Sequence, residues 1–194
     1  VVFQIGMTTK VFGKSEYIDR TCLCMKRTMS YNAKCFTTEK ELLCAFQEHL
    51  QKIDPDIITG WNLFGFDLEY LYKRLGISGC PPDAYVWGRQ KERTVDLVIK
   101  NLASNALGNN MLKMVPMCGR YVFDLFQDVK REHKLESYSL NNVSKHFLKD
   151  QKNDMPVKEI FKRYADGVAH LLGEVADYCI KDTELPHDLM AKLC

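Results

Sequence analysis

Asp67 and Asp182 are carboxylates set where packing alone would not ask for them. Near the end of the chain, Leu171, Val175, Tyr178, Asp182, Leu185 and Leu189 follow one another at steps of four, three, four, three and four, so a helix carries them along one face. A carboxylate in that apolar stripe is penalised unless a cation, a metal or several hydrogen-bond donors meet it. Tyr178 brings a phenolic hydroxyl to the same place from one turn earlier. Of nine tyrosines, this is the one with an Asp four residues later. Pro186 clashes with the carbonyl of residue 182, which predicts that the helix ends or kinks just past the carboxylate. A buried Arg partner, or a capping role for Asp182, is the plainer alternative.

Asp67 closes the string Asn62-Leu-Phe-Gly-Phe66-Asp67, directly after the β-branched run Asp56-Ile-Ile-Thr-Gly60. The passage from a buried strand into a helix is where ligand sites in α/β sheets lie. The helix dipole alone favours an acidic first turn by a few tenths of a kcal/mol, so Asp67 has a structural explanation as well. Asn62 could be a turn former and Phe66 a core anchor. Taken together, the two strings point to metal-assisted cleavage of a phosphodiester.

The elements that must position these residues can be read from periodicity and punctuation. Residues 1–8 and about 18–27 predict strands joined through Gly13-Lys-Ser, and Glu39 to Ile53 predicts a helix with Thr37 and Thr38 as capping candidates. Asp54-Pro55 breaks that helix, and residues 56–60 predict a strand buried in the middle of a sheet. A helix follows from about Phe66 to Leu75, closed by Gly76. Arg93–Ile99 and Met111–Val115 predict a hairpin separated by the Asn-rich residues 101–110. Residues 119–123 predict a strand leading into a helix that begins near Asp124 and continues to Lys134. Helices over 139–147 and 157–164 precede a long helical segment, 166–192, interrupted at Pro186. This order predicts one mixed α/β layered domain over residues 1–194, with a possible hairpin insertion at 91–118.

Composition sets the outer limits. With 194 residues and 46% apolar content the chain can bury one substantial core. No apolar run approaches the roughly 18 residues of a membrane span, which predicts a soluble protein without a membrane partner. The eight cysteines contain no C-x-x-C pair and read as reduced thiols in an intracellular protein. A net charge of +2 lacks the dense basic field of a duplex-coating protein, so a nucleic-acid partner would be gripped in a local groove.

Residues 54–71, Asp-Pro-Asp-Ile-Ile-Thr-Gly-Trp-Asn-Leu-Phe-Gly-Phe-Asp-Leu-Glu-Tyr-Leu, resemble the second exonuclease motif of family B DNA polymerases. Tyr178-Cys-Ile-Lys-Asp182-Thr-Glu-Leu-Pro186 resembles the third. The intervening Gly119-Arg-Tyr-Val-Phe-Asp124-Leu and His133-Lys-Leu-Glu-Ser-Tyr-Ser-Leu-Asn-Asn-Val-Ser144 are similar to the linking stretch in delta-type polymerases and their relatives in large DNA viruses. The resemblance implies a ribonuclease H-like mixed sheet flanked by helices that removes misincorporated nucleotides from a DNA 3′ end. It implies that Asp67 and Asp182 are catalytic and hold two Mg²⁺ or Mn²⁺ ions, and that Tyr178 orients the attacking water or the scissile phosphate. Asn62 and Phe66 would contact the frayed terminal nucleotides. Two such ions about 3.5–4 Å apart serve in-line phosphodiester hydrolysis, and single-stranded or mismatched ends enter such a pocket most cheaply. Expected partners are DNA, the remainder of the polymerase chain and a possible processivity factor, in the nucleus or at a viral replication site. Asp124 recurs in the family, and opening a helix is enough to explain it.

One part of the family pattern is absent. The first motif, an Asp-x-Glu on the leading strand, should precede the strand that Val1 begins, so an N-terminally truncated sheet without its first strand, and a fragment inactive by itself, are expected. The strings Asp67-Leu-Glu69 and Asp182-Thr-Glu184 lie on helices and cannot substitute. A non-enzymatic alternative is a degenerate exonuclease fold kept as a DNA-binding or scaffold module. The pair His49 and Asp54 has the His-x4-Asp spacing of other ribonuclease H-like exonucleases, but it precedes the second motif instead of following it.

Overall fold

The computed structural model describes residues 1–104, 108–149 and 155–193. The chain divides into two compact units, Val1–Leu42 with Ser139–Cys194, and Leu43–Tyr138. Among the described residues, three small sheets flanked by helices make the fold mixed α/β.

In the first unit, β1 (Gln4–Lys10) and β2 (Tyr17–Cys24) form an antiparallel pair whose register matches Ile5 with Leu23 and Met7 with Thr21. Gly13 turns the chain between them at φ 80°. The three-residue β3 (Ala33–Cys35) adds to β2 in parallel. Three helices complete the unit: α4 (Leu140–Leu148), α5 (Val157–Asp166) and α6 (Ala169–Leu193). Helix α6 packs on β1 and β2, where Ala176 and Ile180 close over Cys22 and Cys24. Gly173 permits a close approach: a Cβ there would stand 2.1 Å from the Met29 carbonyl oxygen.

The chain passes into the second unit within α1 (Glu39–Ile53), whose bounds are those its periodicity predicts. Its start is a capping box: the Glu41 N–H donates to Thr38 Oγ1 at 3.2 Å, and the Thr38 N–H donates to Glu41 Oε2 at 3.1 Å. Leu43, Phe46 and Leu50 are buried, and Phe46 meets the fully buried Trp87 edge-on at 5.5 Å. β4 (Ile57–Gly60) pairs in parallel with β7 (Tyr121–Asp124), and α2 (Leu68–Ile77) and α3 (Leu125–Glu132) follow them. The hairpin of β5 (Val98–Ser104) and β6 (Gly108–Met114) completes the unit.

Arg120 is the buried ion that fastens the connection from α1 to β4. Its guanidinium donates to Trp87 O at 3.0 Å, Asp54 Oδ1 at 2.8 Å, Pro55 O at 2.7 Å and Leu50 O at 3.4 Å. That clamp ties the end of α1 and the turn at Asp54, where φ is 51°, to the Trp87 carbonyl.

Several expectations need correction. β4 is not the buried centre of a sheet: among the described residues it pairs with β7 alone, and Ile57 is exposed. Gly76 lies inside α2, and Gly79 at φ 63° ends it, with the Cys80 N–H reaching back to Leu75 O at 3.0 Å. The Asn-rich segment expected as a loop is largely strand, because cross-strand pairing such as Asn101 with Met111 outweighs local propensity. Residues 105–107 of that segment lie outside the described residues.

The helical segment expected to end or kink past Asp182 does not end there: it runs on to Leu193 with Pro186 buried inside it. A proline ring displaces carbonyls of the preceding turn, and those need other donors. Two neighbouring carbonyls of that turn take strand side chains: Thr8 Oγ1 donates to Thr183 O at 3.2 Å, and the Tyr17 hydroxyl donates to Glu184 O at 3.4 Å.

Candidate functional site

The loop between β4 and α2 brings Asn62, Phe66 and Asp67 onto one short stretch of the second unit. Trp61 anchors its start, donating from Nε1 to Tyr138 O at 3.2 Å and meeting Phe126 edge-on at 5.9 Å. Asn62 then takes the left-handed region, φ 63° and ψ 33°, which Asn tolerates better than most residues with a Cβ. A single π-helical turn, Leu63–Asp67, follows and leads directly into α2. Wide turns of this kind concentrate at functional sites because they displace side chains from the regular helical track. The helix expected from Phe66 is therefore of π form until Asp67.

Gly65 makes the turn compatible with Asn62. A Cβ at Gly65 would lie 2.3 Å from Asn62 Oδ1 and 2.8 Å from both Asn62 Cγ and Nδ2. The Asn62 amide thus occupies the space that a side chain at residue 65 would fill. Phe66 is 58% exposed, so it is not a core anchor. Its ring stacks on Tyr70 at 5.2 Å and 14°, leaving an aromatic surface open to solvent.

The Asp67 carboxyl is pushed up to about 6, mainly because surrounding protein displaces water; its own backbone N–H pulls the other way, and the Asp124 carboxylate adds a smaller rise. The residue keeps exposed surface, so solvent screens part of that effect. A hard oxygen donor beside a second carboxylate is a position where a divalent cation would relieve repulsion, and Mg²⁺ needs few protein carboxylates because it keeps several waters. Asp67 fits a metal-ligand role on this ground. Among the described residues no three His, Cys, Asp or Glu side chains are gathered to hold an ion, so the other donors to such an ion would be water, phosphate oxygens or residues outside this group.

Asp124 is the residue whose place the linear pattern did not disclose. The β4–β7 register sets Gly60 opposite Asp124, so the end of β7 stands beside the start of the loop. The Asp124 side chain is buried, and its Oδ1 accepts from the Asn62 N–H at 2.9 Å and from the Phe126 N–H at 3.2 Å. Its Oδ2 accepts from the Phe64 N–H at 3.0 Å. Burial raises its carboxyl above the ordinary value while the N–H donors pull against that rise. The helix-opening role expected of Asp124 is present as the bond to Phe126, and the bonds to the loop are additional.

Tyr178 and Asp182 lie one turn apart on α6 in the first unit, both half-buried. Val175, Leu185 and Leu189 on their stripe are buried, whereas Leu171 is not. Asp182 Oδ1 is closed off from solvent. The Glu of each helical Asp-x-Glu string is engaged by cations. Glu69 takes Lys73 at 2.7 Å and Lys113 at 2.8 Å; Glu184 takes Arg20 at 2.7 Å and Lys181 at 3.5 Å. Asp54 is held by Arg89 and Arg120, each at 2.8 Å, and His49 is buried in α1.

The loop bearing Asp67 and the open Phe66 ring joins a strand to a helix in a mixed α/β fold, the place where ligand sites of such folds lie. Residues 7–143 match the DNA polymerase family B, exonuclease domain, and the chain belongs to that family. It is 35% identical to the DNA polymerase delta catalytic subunit of Caenorhabditis elegans over 196 residues, covering 99% of this chain and 18% of that protein. It is 36% identical to the delta catalytic subunit of Arabidopsis thaliana over 99% of this chain and 18% of that protein. A DNA polymerase of Paramecium bursaria Chlorella virus NY2A is 34% identical over 98% of this chain and 22% of its own length. The chain thus spans about a fifth of the length of these curated relatives. Among the described residues no helix is long and apolar enough to cross a membrane.

Proposed function

We propose that the chain is the proofreading 3′–5′ exonuclease domain of a DNA-directed DNA polymerase, hydrolysing the 3′-terminal nucleotide of a single-stranded or frayed DNA end. Residues 1–194 form that domain, and the hairpin within 91–118 is an insertion in it. The observation that carries the reading is the loop of residues 62–67, which presents a partly desolvated carboxylate next to an exposed aromatic stack in a chain of this family.

In this reading the exposed face of Phe66, braced by Tyr70, packs against an unpaired base or sugar, a contact that every base can make. Asn62, fixed in the left-handed conformation, offers its amide to the same terminal nucleotide. Asp67 and Asp182 are the oxygen ligands for Mg²⁺ or Mn²⁺, and Tyr178 orients the attacking water or the scissile phosphate. When bound, the metal pair supplies the hydroxide and neutralises the departing 3′ oxygen. The rest of the polymerase delivers the primer end, a processivity factor is a further partner, and the nucleus or a viral replication site is the place of action.

The test is Mg²⁺-dependent degradation of a single-stranded oligodeoxynucleotide by the full-length protein that carries this sequence. Asp67→Ala and Asp182→Ala should each abolish it while leaving nucleotide addition intact. Degradation that survives either substitution refutes the assignment.

A further inference from the structure

We infer that Asp124 is a positioning residue of the exonuclease site, holding the loop that presents Asn62, Phe66 and Asp67. The inference rests on the function proposed above. A helix-opening Asp needs one acceptor for the first-turn N–H groups, and Asp124 provides that to Phe126 at 3.2 Å. Its remaining capacity points backwards across the β4–β7 pair, to the N–H groups of Asn62 at 2.9 Å and Phe64 at 3.0 Å. Those two donors flank Leu63, where the chain leaves the left-handed turn and enters the π turn. Both conformations are uncommon for residues with side chains, and neither persists unless its surroundings over-determine it. A buried carboxylate accepting from both ends of that junction is such a determinant, since charge-assisted hydrogen bonds are shorter and stronger than neutral ones. Asp124 touches no substrate in this account; it acts through the backbone that sets where the Asn62 amide, the Phe66 ring and the Asp67 carboxyl point.

Substitution can separate the two duties. Asp124→Ser keeps an oxygen for the Phe126 N–H, because Ser opens helices about as well as Asp, but its single short side-chain oxygen cannot serve Asn62 and Phe64 as well. Asp124→Asn keeps one accepting oxygen and sets an amide NH₂ against an N–H that previously had an acceptor. A capping role alone predicts near-normal behaviour for both variants.

The experiment is run on the full-length protein with a single-stranded oligodeoxynucleotide and Mg²⁺, together with amide hydrogen exchange measured without metal or DNA. For Asp124→Ser we expect faster exchange over residues 61–67, unchanged protection along α1 and α3, and a kcat lowered by about 100-fold with a smaller change in KM, the cost of misplacing groups by about 1 Å. Asp124→Asn should show the same pattern at smaller amplitude. A wild-type kcat in Asp124→Ser, or unchanged exchange over 61–67, overturns the inference. So does loss of protection along α3 in both variants, which would make the residue structural. Asp67→Ala, assayed alongside, separates the two readings: if it retains activity the exonuclease assignment fails, and the exchange data still decide whether Asp124 holds the loop.

Discussion

Adding one methyl group at Gly65 should cripple the site without loosening the fold. The Cβ of Gly65→Ala would stand 2.3 Å from Asn62 Oδ1 and 2.8 Å from Cγ and Nδ2. Favourable non-bonded separations begin near about 3.5 Å, so the Asn62 amide must retreat by about 1 Å. The obstructed atoms are the end of a rotatable side chain, which can turn away while the backbone stays. Stability should therefore hold or improve, because Ala in a helical turn is favoured over Gly by about 0.5–1 kcal/mol. Catalysis should not hold: a displacement of about 1 Å in a group that positions substrate costs on the order of 100-fold.

The assay pairs kcat/KM for single-stranded DNA hydrolysis by the full-length protein with its melting temperature in the same buffer. A second pair of proteins, Asn62→Ala and Asn62→Ala with Gly65→Ala, completes the cycle. If the methyl acts through the Asn62 amide, Gly65→Ala adds no further loss once that amide is gone. Wild-type activity in the single variant, an equal loss repeated in the Asn62→Ala background, or a clear fall in melting temperature would each refute the reasoning.

Two further outcomes follow from the same second unit. The folded Asp67 carboxyl, at about 6, binds a proton that the unfolded chain, at 3.8, has released, so it costs stability increasingly as pH rises through that interval. In metal-free buffer, Asp67→Asn should melt above wild type near neutral pH, with the difference vanishing below 3.8; a difference independent of pH contradicts the cause given. Arg120→Ala leaves the carbonyls of Trp87 and Pro55 without the buried guanidinium and should cost about 2–4 kcal/mol in urea unfolding, whereas the more exposed Arg89→Ala should cost clearly less. Equal losses for the two would show that burial does not distinguish them.

Elements set by local pattern were legible in the chain, and those set by distant pairing were not. Glu39–Ile53 carries its period, its capping box and its Asp-Pro stop within a few residues, and its observed bounds agree. β3 is three residues long and exists because β2 pairs with it, so no local pattern marks it. The Asn-rich part of the hairpin reads as loop by propensity and becomes strand through its partner. The stop expected at Gly76 falls instead at Gly79, whose positive φ ends α2. Pro186 is a breaker in any local account; Thr8 and Tyr17, more than 160 residues earlier, supply donors near it.

The site divides along the same line. Asp67, Asn62 and Phe66 stood out as a string because they lie within six residues on one loop, and Tyr178 and Asp182 because they share a helical face. Asp124 carries no such mark: an Asp before a helix is ordinary, and its contacts to Asn62 and Phe64 arise from the parallel register that puts Gly60 beside it. A parallel pair requires a long crossover, here the loop, α2 and the hairpin, so the residue that fixes the loop must lie far along the chain from it. A loop in two uncommon backbone conformations cannot specify itself. It needs a rigid acceptor from a neighbouring strand, and a buried carboxylate at the end of β7 meets that requirement while also opening the next helix.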